Sequence, residues 1–191
     1  MNDDDRKSNG TRCIFQPELR VDTVTNNFVF HEYSGVGDFL FEGAVKGSPA
    51  KIHFCESRES AISQIGFVVE SLENEGFKDV VLLSCKTEES SLLSEEIKGE
   101  KYRNKYRFST CRKFKGLEAD AVILVDVDSE TFNSNNVLLY YVGTSRARLK
   151  LEIITTLSDD DCRKILEKKL NHQGKKSKRP KKDLASALNA V

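Results

Sequence analysis

Two kinds of apolar pattern run along this chain. "DVVLLSC" (79–85) and "DAVILVDV" (120–127) are unbroken apolar runs of strand length. With no polar alternation, both faces of such a strand must be covered, as they are inside a parallel sheet. "KIHFC" (51–55) alternates, and "YRFST" (106–110) and "LKLEIIT" (149–155) are short and strand-like. Between them the spacing changes. Ala61, Ile62, Ile65, Val68, Val69 and Leu72 recur three and four apart, which predicts a helix from a cap at Ser57 to Glu75, with Gly76 as its left-handed stop. "SSLLSEEI" (90–97) predicts a short helix, and "NNVLLYYVGTSRAR" (135–148) another. "SDDDCRKILEKKL" (158–170) predicts a helix that opens with Ser158 and Asp161 in capping-box spacing. "NNFVFHEY" (26–33) could form a short strand. Strands alternating with helices give an α/β fold with a parallel sheet flanked by helices. The domain is expected over 49–170. Residues 1–48 read as an irregular N-terminal segment, the first twelve too polar to pack, and 171–191 as a basic disordered tail.

Composition narrows the class. Of 191 residues, 38% are hydrophobic and 31% charged, which suits a soluble domain with a modest core. No apolar run approaches the roughly 20 residues of a membrane helix, so no membrane partner is expected. "MNDDDRKSNG" is not a secretory signal. Cysteines at 13, 55, 85, 111 and 162 form no Cys-x-x-Cys pair, and there are three histidines, so no metal site is expected. Scattered thiols fit a reducing compartment, hence a cytoplasmic protein.

The 30 cations and 30 acids balance, but unevenly. "KYRNKYRFSTCRKFK" (101–115) holds seven cations and no acid. Its Tyr102, Tyr106, Phe108 and Phe114 add stacking groups to phosphate-binding ones. "KKSKRPKK" (175–182) is a second basic block. Both could be solvated surface; both could also contact a polyanion.

Chemistry concentrates between residues 109 and 148. A phosphate-binding loop needs Gly-Lys-Ser/Thr at its end, and "EGAVKGSP" offers Lys-Gly-Ser, the wrong order. "AVILVDVD" looks like a strand ending in a magnesium-holding aspartate, but without that loop it reads as a buried strand ending in polar residues.

"TCRKFKGLEADAVILVD" and "LLYYVGTSRARLKLEII" together resemble motifs V and VI of the UvrD/Rep-like superfamily 1 helicases. Motif V runs roughly Thr-x-His-x-x-Lys-Gly-Leu-Glu and then an apolar strand. Thr110, Lys115, Gly116, Leu117 and Glu118 match, with Arg112 in place of histidine. Motif VI runs roughly Tyr-Val-Ala-x-Thr-Arg-Ala, a basic residue and a strand. Tyr141 to Arg148 fill it, with Gly143 for alanine and Ser145 for threonine. The resemblance covers roughly residues 49–156.

It implies the second, RecA-like motor domain of such an enzyme. Arg146 would be the finger on the ATP γ-phosphate, the catalytic residue. Glu118 would bond the nucleotide ribose, and Gly116 would allow its tight turn. Thr110, Arg112, Lys113 and Lys115 would face single-stranded DNA or RNA. Arg112 keeps a phosphate-seeking group but loses histidine's neutral donor. The plain alternatives are an Arg146 paired to an acid and a Glu118 solvated in its turn. ATP and Mg²⁺ would bind only in complex with a P-loop-bearing half or partner chain. The expected function is the C-terminal half of an ATP-dependent DNA helicase; the alternative is a stand-alone nucleic-acid-binding module without motor activity.

Overall fold

The computed structural model describes residues 18–22, 27–31, 50–98, 107–133, 136–168 and 177–188. Five strands form one sheet: β3 (Lys51–Phe54), β4 (Val80–Ser84), β5 (Arg107–Thr110), β6 (Ala119–Val127) and β7 (Ala147–Thr155). A separate pair, β1 (Glu18–Asp22) and β2 (Asn27–His31), is antiparallel with Leu19 opposite Phe30. The main sheet runs β3-β7-β6-β4-β5, and every pairing is parallel.

The two unbroken apolar runs became inner strands. In β6, Val122 and Leu124 join one core cluster and Ile123 and Val125 the other, the alternation a pleated strand imposes. Helix α1 (Arg58–Asn74) covers one face through Ala61, Ile65, Val68, Val69 and Leu72. The opposite face carries α3 (Val137–Thr144), α4 (Asp159–Lys168) and α5 (Pro180–Ala187), with Tyr140, Ile165, Leu166 and Leu184 in its core. A short helix, α2 (Ser94–Lys98), follows β4. The fold is therefore α/β with a parallel sheet flanked by helices, as the alternation of strands and helices predicts.

The expected caps are present. Ser57 Oγ accepts from the Ser60 amide at 3.2 Å, Ser60 Oγ accepts from the Ser57 amide at 3.0 Å, and Gly76 takes φ +93° just past the helix. Ser158 Oγ accepts from the Asp161 amide at 3.2 Å and donates to its carboxylate at 2.7 Å.

Three expectations need correction. The helix read over 135–148 ends at Thr144, and β7 begins at Ala147. The Ala119 amide donates to the Arg146 carbonyl at 3.0 Å, so the ladder with β6 claims the chain before a further helical turn can form. The N-terminal segment is not wholly irregular, since β1 and β2 pair within it; β1 alternates apolar and polar residues at period two, and β2 carries the short apolar run Phe28, Val29 and Phe30. The basic tail is not all disordered: α5 starts at Pro180, with Leu184 fully buried and Leu188 nearly so. Its apolar positions fall four apart, and Pro at the first turn forgoes only an amide that lacks a helical partner anyway. Residues 1–12 and 171–176 lie outside the described residues.

Candidate functional site

Motif V stretches from one edge of the sheet to the other. Ser84 is level with Thr110 on one side and Val125 on the other. Ala119, where β6 starts, is six residues earlier, about 20 Å down the strand at some 3.3 Å per residue. The chain makes that return within residues 111–118. Phe114, 2% exposed, pins the middle of the turn to the core, and its amide donates to the Thr110 carbonyl at 3.0 Å. Gly116 closes it at φ +84°, a conformation L side chains adopt only with strain.

Thr110, at the carboxyl edge, is buried, and its hydroxyl accepts from the Lys113 amide at 3.3 Å. Arg112, Lys113 and Lys115 are exposed. Lys113 Nζ reaches Glu88 at 2.8 Å, which raises its pKa. The interleaved aromatics are not all stacking platforms, because Phe114 is core and Phe108 half-buried. The Arg107 guanidinium lies 5.2 Å from the Phe114 ring centre and pairs with Asp79 at 2.8 Å. Lys101, Tyr102, Arg103, Lys105 and Tyr106 lie outside the described residues.

The amino edge brings motif V's end against motif VI. Glu118 is exposed and immediately precedes Ala119, whose amide bonds the Arg146 carbonyl. Arg146 sits in the turn after α3, not on the helix. Its Nε donates to the Val142 carbonyl at 3.1 Å, its Nη2 to Ser145 Oγ at 2.9 Å and its Nη1 to the Leu117 carbonyl at 3.4 Å. All are neutral acceptors. Among the described residues no carboxylate pairs with Arg146. Arg148, two residues on, behaves oppositely: Nη2 meets Asp120 at 2.5 Å and Asp79 at 3.7 Å. The arginine spent on structural ion pairs is Arg148. A guanidinium without a counter-charge keeps its attraction for an incoming phosphate.

The acids of "LVDVD" are engaged at the far edge. Asp126 is buried at φ +60° and accepts from Ser84 Oγ at 2.6 Å, Ser91 Oγ at 2.7 Å and the Leu92 amide at 2.9 Å. It fastens the 85–93 loop to the sheet. Asp128 caps a 3-10 turn (Ser129–Phe132) and pairs with Lys86 at 2.7 Å. Burial alone would lower the Lys86 ammonium; Asp128's bond and charge outweigh it and hold the group above its ordinary value. Sequence reading placed Ser145 in its motif without a role, and the fold makes it the neighbour that orients Arg146; it gave none to Cys111, whose sulfur packs against Gly143.

Residues 105–154 match the family model described as UvrD-like helicase C-terminal domain, which takes in both motifs. No curated protein matches the chain. Among solved structures, the C-terminal domain of a possible DNA helicase from Lactobacillus plantarum WCFS1 is similar, at 18% identity over 58% of this chain and 75% of that one, with a TM-score of 0.48.

Proposed function

Because residues 105–154 carry the UvrD-like helicase C-terminal signature, we propose that this chain is the second motor domain of an ATP-dependent DNA helicase. It supplies an arginine finger and nucleic-acid contacts to a site completed by a P-loop-bearing half. The observation that supports this most is Arg146: beside Glu118 at the amino edge, held by three neutral acceptors, with no carboxylate partner among the described residues. A nucleotide would be met there by Arg146 and Glu118, with Gly116 shaping the turn. When bound, Mg²⁺ would neutralise developing phosphate charge. Asp126 and Asp128 are fully engaged at the opposite edge, so the metal-holding acid belongs to the partner half. Thr110, Arg112, Lys113 and Lys115 would contact single-stranded DNA, Lys113 alone of the three cations being paired to an acid among the described residues.

The test mixes this chain with a purified P-loop-bearing half of a UvrD-like enzyme and measures ATP hydrolysis with and without single-stranded DNA. Hydrolysis that requires both chains and falls when Arg146 is replaced supports the motor reading. Salt-sensitive DNA binding by this chain, with no hydrolysis in any mixture, supports a nucleic-acid-binding module instead.

A further inference from the structure

Two cysteines that stand 26 positions apart in sequence meet in the fold. Ser84 and Thr110 are register partners at the ends of β4 and β5, and the next residue on each strand is Cys85 and Cys111. The Cys111 amide donates to the Ser84 carbonyl at 2.9 Å, so the strands are still paired at that point. Neighbouring strands lie about 4.8 Å apart, within the roughly 4.4–6.8 Å between α-carbons that a disulfide spans. Register partners also point to the same face, and both cysteines belong to the same buried cluster. Both are free thiols. Cys85 further lines an open cavity of about 190 Å³ with Lys86, Arg112 and Asp128, and at 8% exposure against 1% for Cys111 it is the less buried of the two.

We propose that Cys85 and Cys111 are a redox-sensitive pair, joined by a peroxide into a disulfide that fixes the start of the motif V turn. Cys85, the less buried of the two, takes one oxygen from the peroxide and releases water. Cys111 then attacks that sulfur, forming the S–S bond and releasing a second water. Two thiols lose two protons and two electrons, and the peroxide O–O bond is broken. Hydrogen bonding with Cys111, then burial, holds the Cys85 thiol well above its ordinary value. The reaction is therefore slow in neutral solution and responds to sustained oxidant.

The consequence lies one residue away on either side: Thr110 and Arg112 flank Cys111. A bridged Cys111 cannot shift as Arg112 adjusts to a strand. This part rests on the nucleic-acid reading above.

The experiment treats the full chain with hydrogen peroxide, alkylates remaining thiols, digests and maps peptides by mass spectrometry. The expected product joins the Cys85 and Cys111 peptides, is lighter by two hydrogens and reverts with dithiothreitol. It is absent in Cys85→Ala and Cys111→Ala alike. Wild-type mapping needs no variant, so a poorly folded mutant leaves the result readable. Bridges that instead engage Cys13, Cys55 or Cys162, or alkylation of both thiols after prolonged oxidant, overturn the pair. A labelled oligothymidylate should bind the oxidised chain at least threefold more weakly. A confirmed bridge with unchanged binding overturns the control of Arg112. No binding in either state refutes the nucleic-acid reading and leaves the disulfide standing.

Discussion

The Cys111 sulfur lies 2.9 Å from the point a β-carbon on residue 143 would occupy, and Leu124 Cδ1 lies 2.5 Å from it. Gly143 and Cys111 thus share one space, where the helix of motif VI meets the turn of motif V. The crowding explains why a residue without a β-carbon stands at position 143. Gly143→Ala sets two effects against each other. A helix-interior alanine gains about 1 kcal/mol over glycine, while overpacking a filled core costs about 1–3 kcal/mol. Leu124 and Cys111 are both buried and hemmed in, so overpacking wins. The variant should unfold at lower denaturant. In a Leu124→Val background, which lacks the offending Cδ1, the penalty should shrink by about 1 kcal/mol, the coupling expected of touching residues.

Arg146→Ala should separate function from folding. The side chain gives up hydrogen bonds to neutral acceptors only, each worth about 0.5–1.5 kcal/mol net, and it is half-buried, so water replaces part of what is lost. A thermal melt of the chain alone should move by only a few degrees. With a P-loop-bearing half, hydrolysis should fall by about 10³-fold or more. Arg146→Lys should rescue little, since it keeps the charge and loses the planar fork. A large loss of stability with hydrolysis falling only in step would show Arg146 to be structural.

Asp126 combines strain with satisfaction. A non-glycine residue at φ +60° costs about 1–3 kcal/mol and persists here because its carboxylate collects three donors. Asp126→Ala leaves the buried Ser84 and Ser91 hydroxyls without that acceptor and should cost about 2–4 kcal/mol. Asp126→Asn should cost less, as asparagine tolerates the left-handed region and retains one acceptor oxygen. Chemical denaturation of both variants checks the order.

These features differ in how far the sequence declared them. β4 and β6 were legible because an unbroken apolar run has few other uses, and α1 because spacing, Ser57 and Gly76 agreed. The end of α3 was not: "VGTSRAR" is neutral between helix and turn, and the Arg146–Ala119 ladder decides it from 27 positions away. α5 was hidden by its lysines, which dominate composition while Leu184 and Leu188 do the packing. Motif residues could be named in advance. The contrast between Arg146, uncharged in its surroundings, and Arg148, paired to Asp120, needed the fold, since both are simply arginines in "SRAR".

Alkaline pH should weaken the fold through Cys162. Burial pushes this thiol up to about 11, above its unfolded value. A raised folded pKa means the contribution is complete below the unfolded pKa and lost as pH rises through the folded one. Melting temperature should therefore decline between about pH 9 and about pH 11. Cys162→Ala removes the group and should flatten that decline, although it lowers stability at neutral pH by leaving a small void. An unchanged slope in the variant would assign the alkaline loss to another group.

The C-terminal helix makes the sharpest break with composition. A basic tail would be dispensable to folding. α5 is docked: Leu184 is fully buried in the core shared by α4 and the sheet, and Lys181 Nζ lies 5.7 Å from the centre of the Phe54 ring. Leu184→Ala should cost about 2–5 kcal/mol, the range for deleting a buried leucine. Deleting residues 177–191 should cost at least as much. Lys178, Arg179 and Lys182 are exposed, so replacing all three with Gln should leave the melt nearly unchanged. If these cations contact nucleic acid, that triple variant should weaken oligonucleotide binding evenly across sequences and flatten its salt dependence, because lysines on phosphates read charge and not bases. A cooperative melt unaltered by Leu184→Ala would return the segment to the status of a tail, and oligonucleotide binding unaltered by the triple Gln variant would confine nucleic-acid contact to the motif V turn.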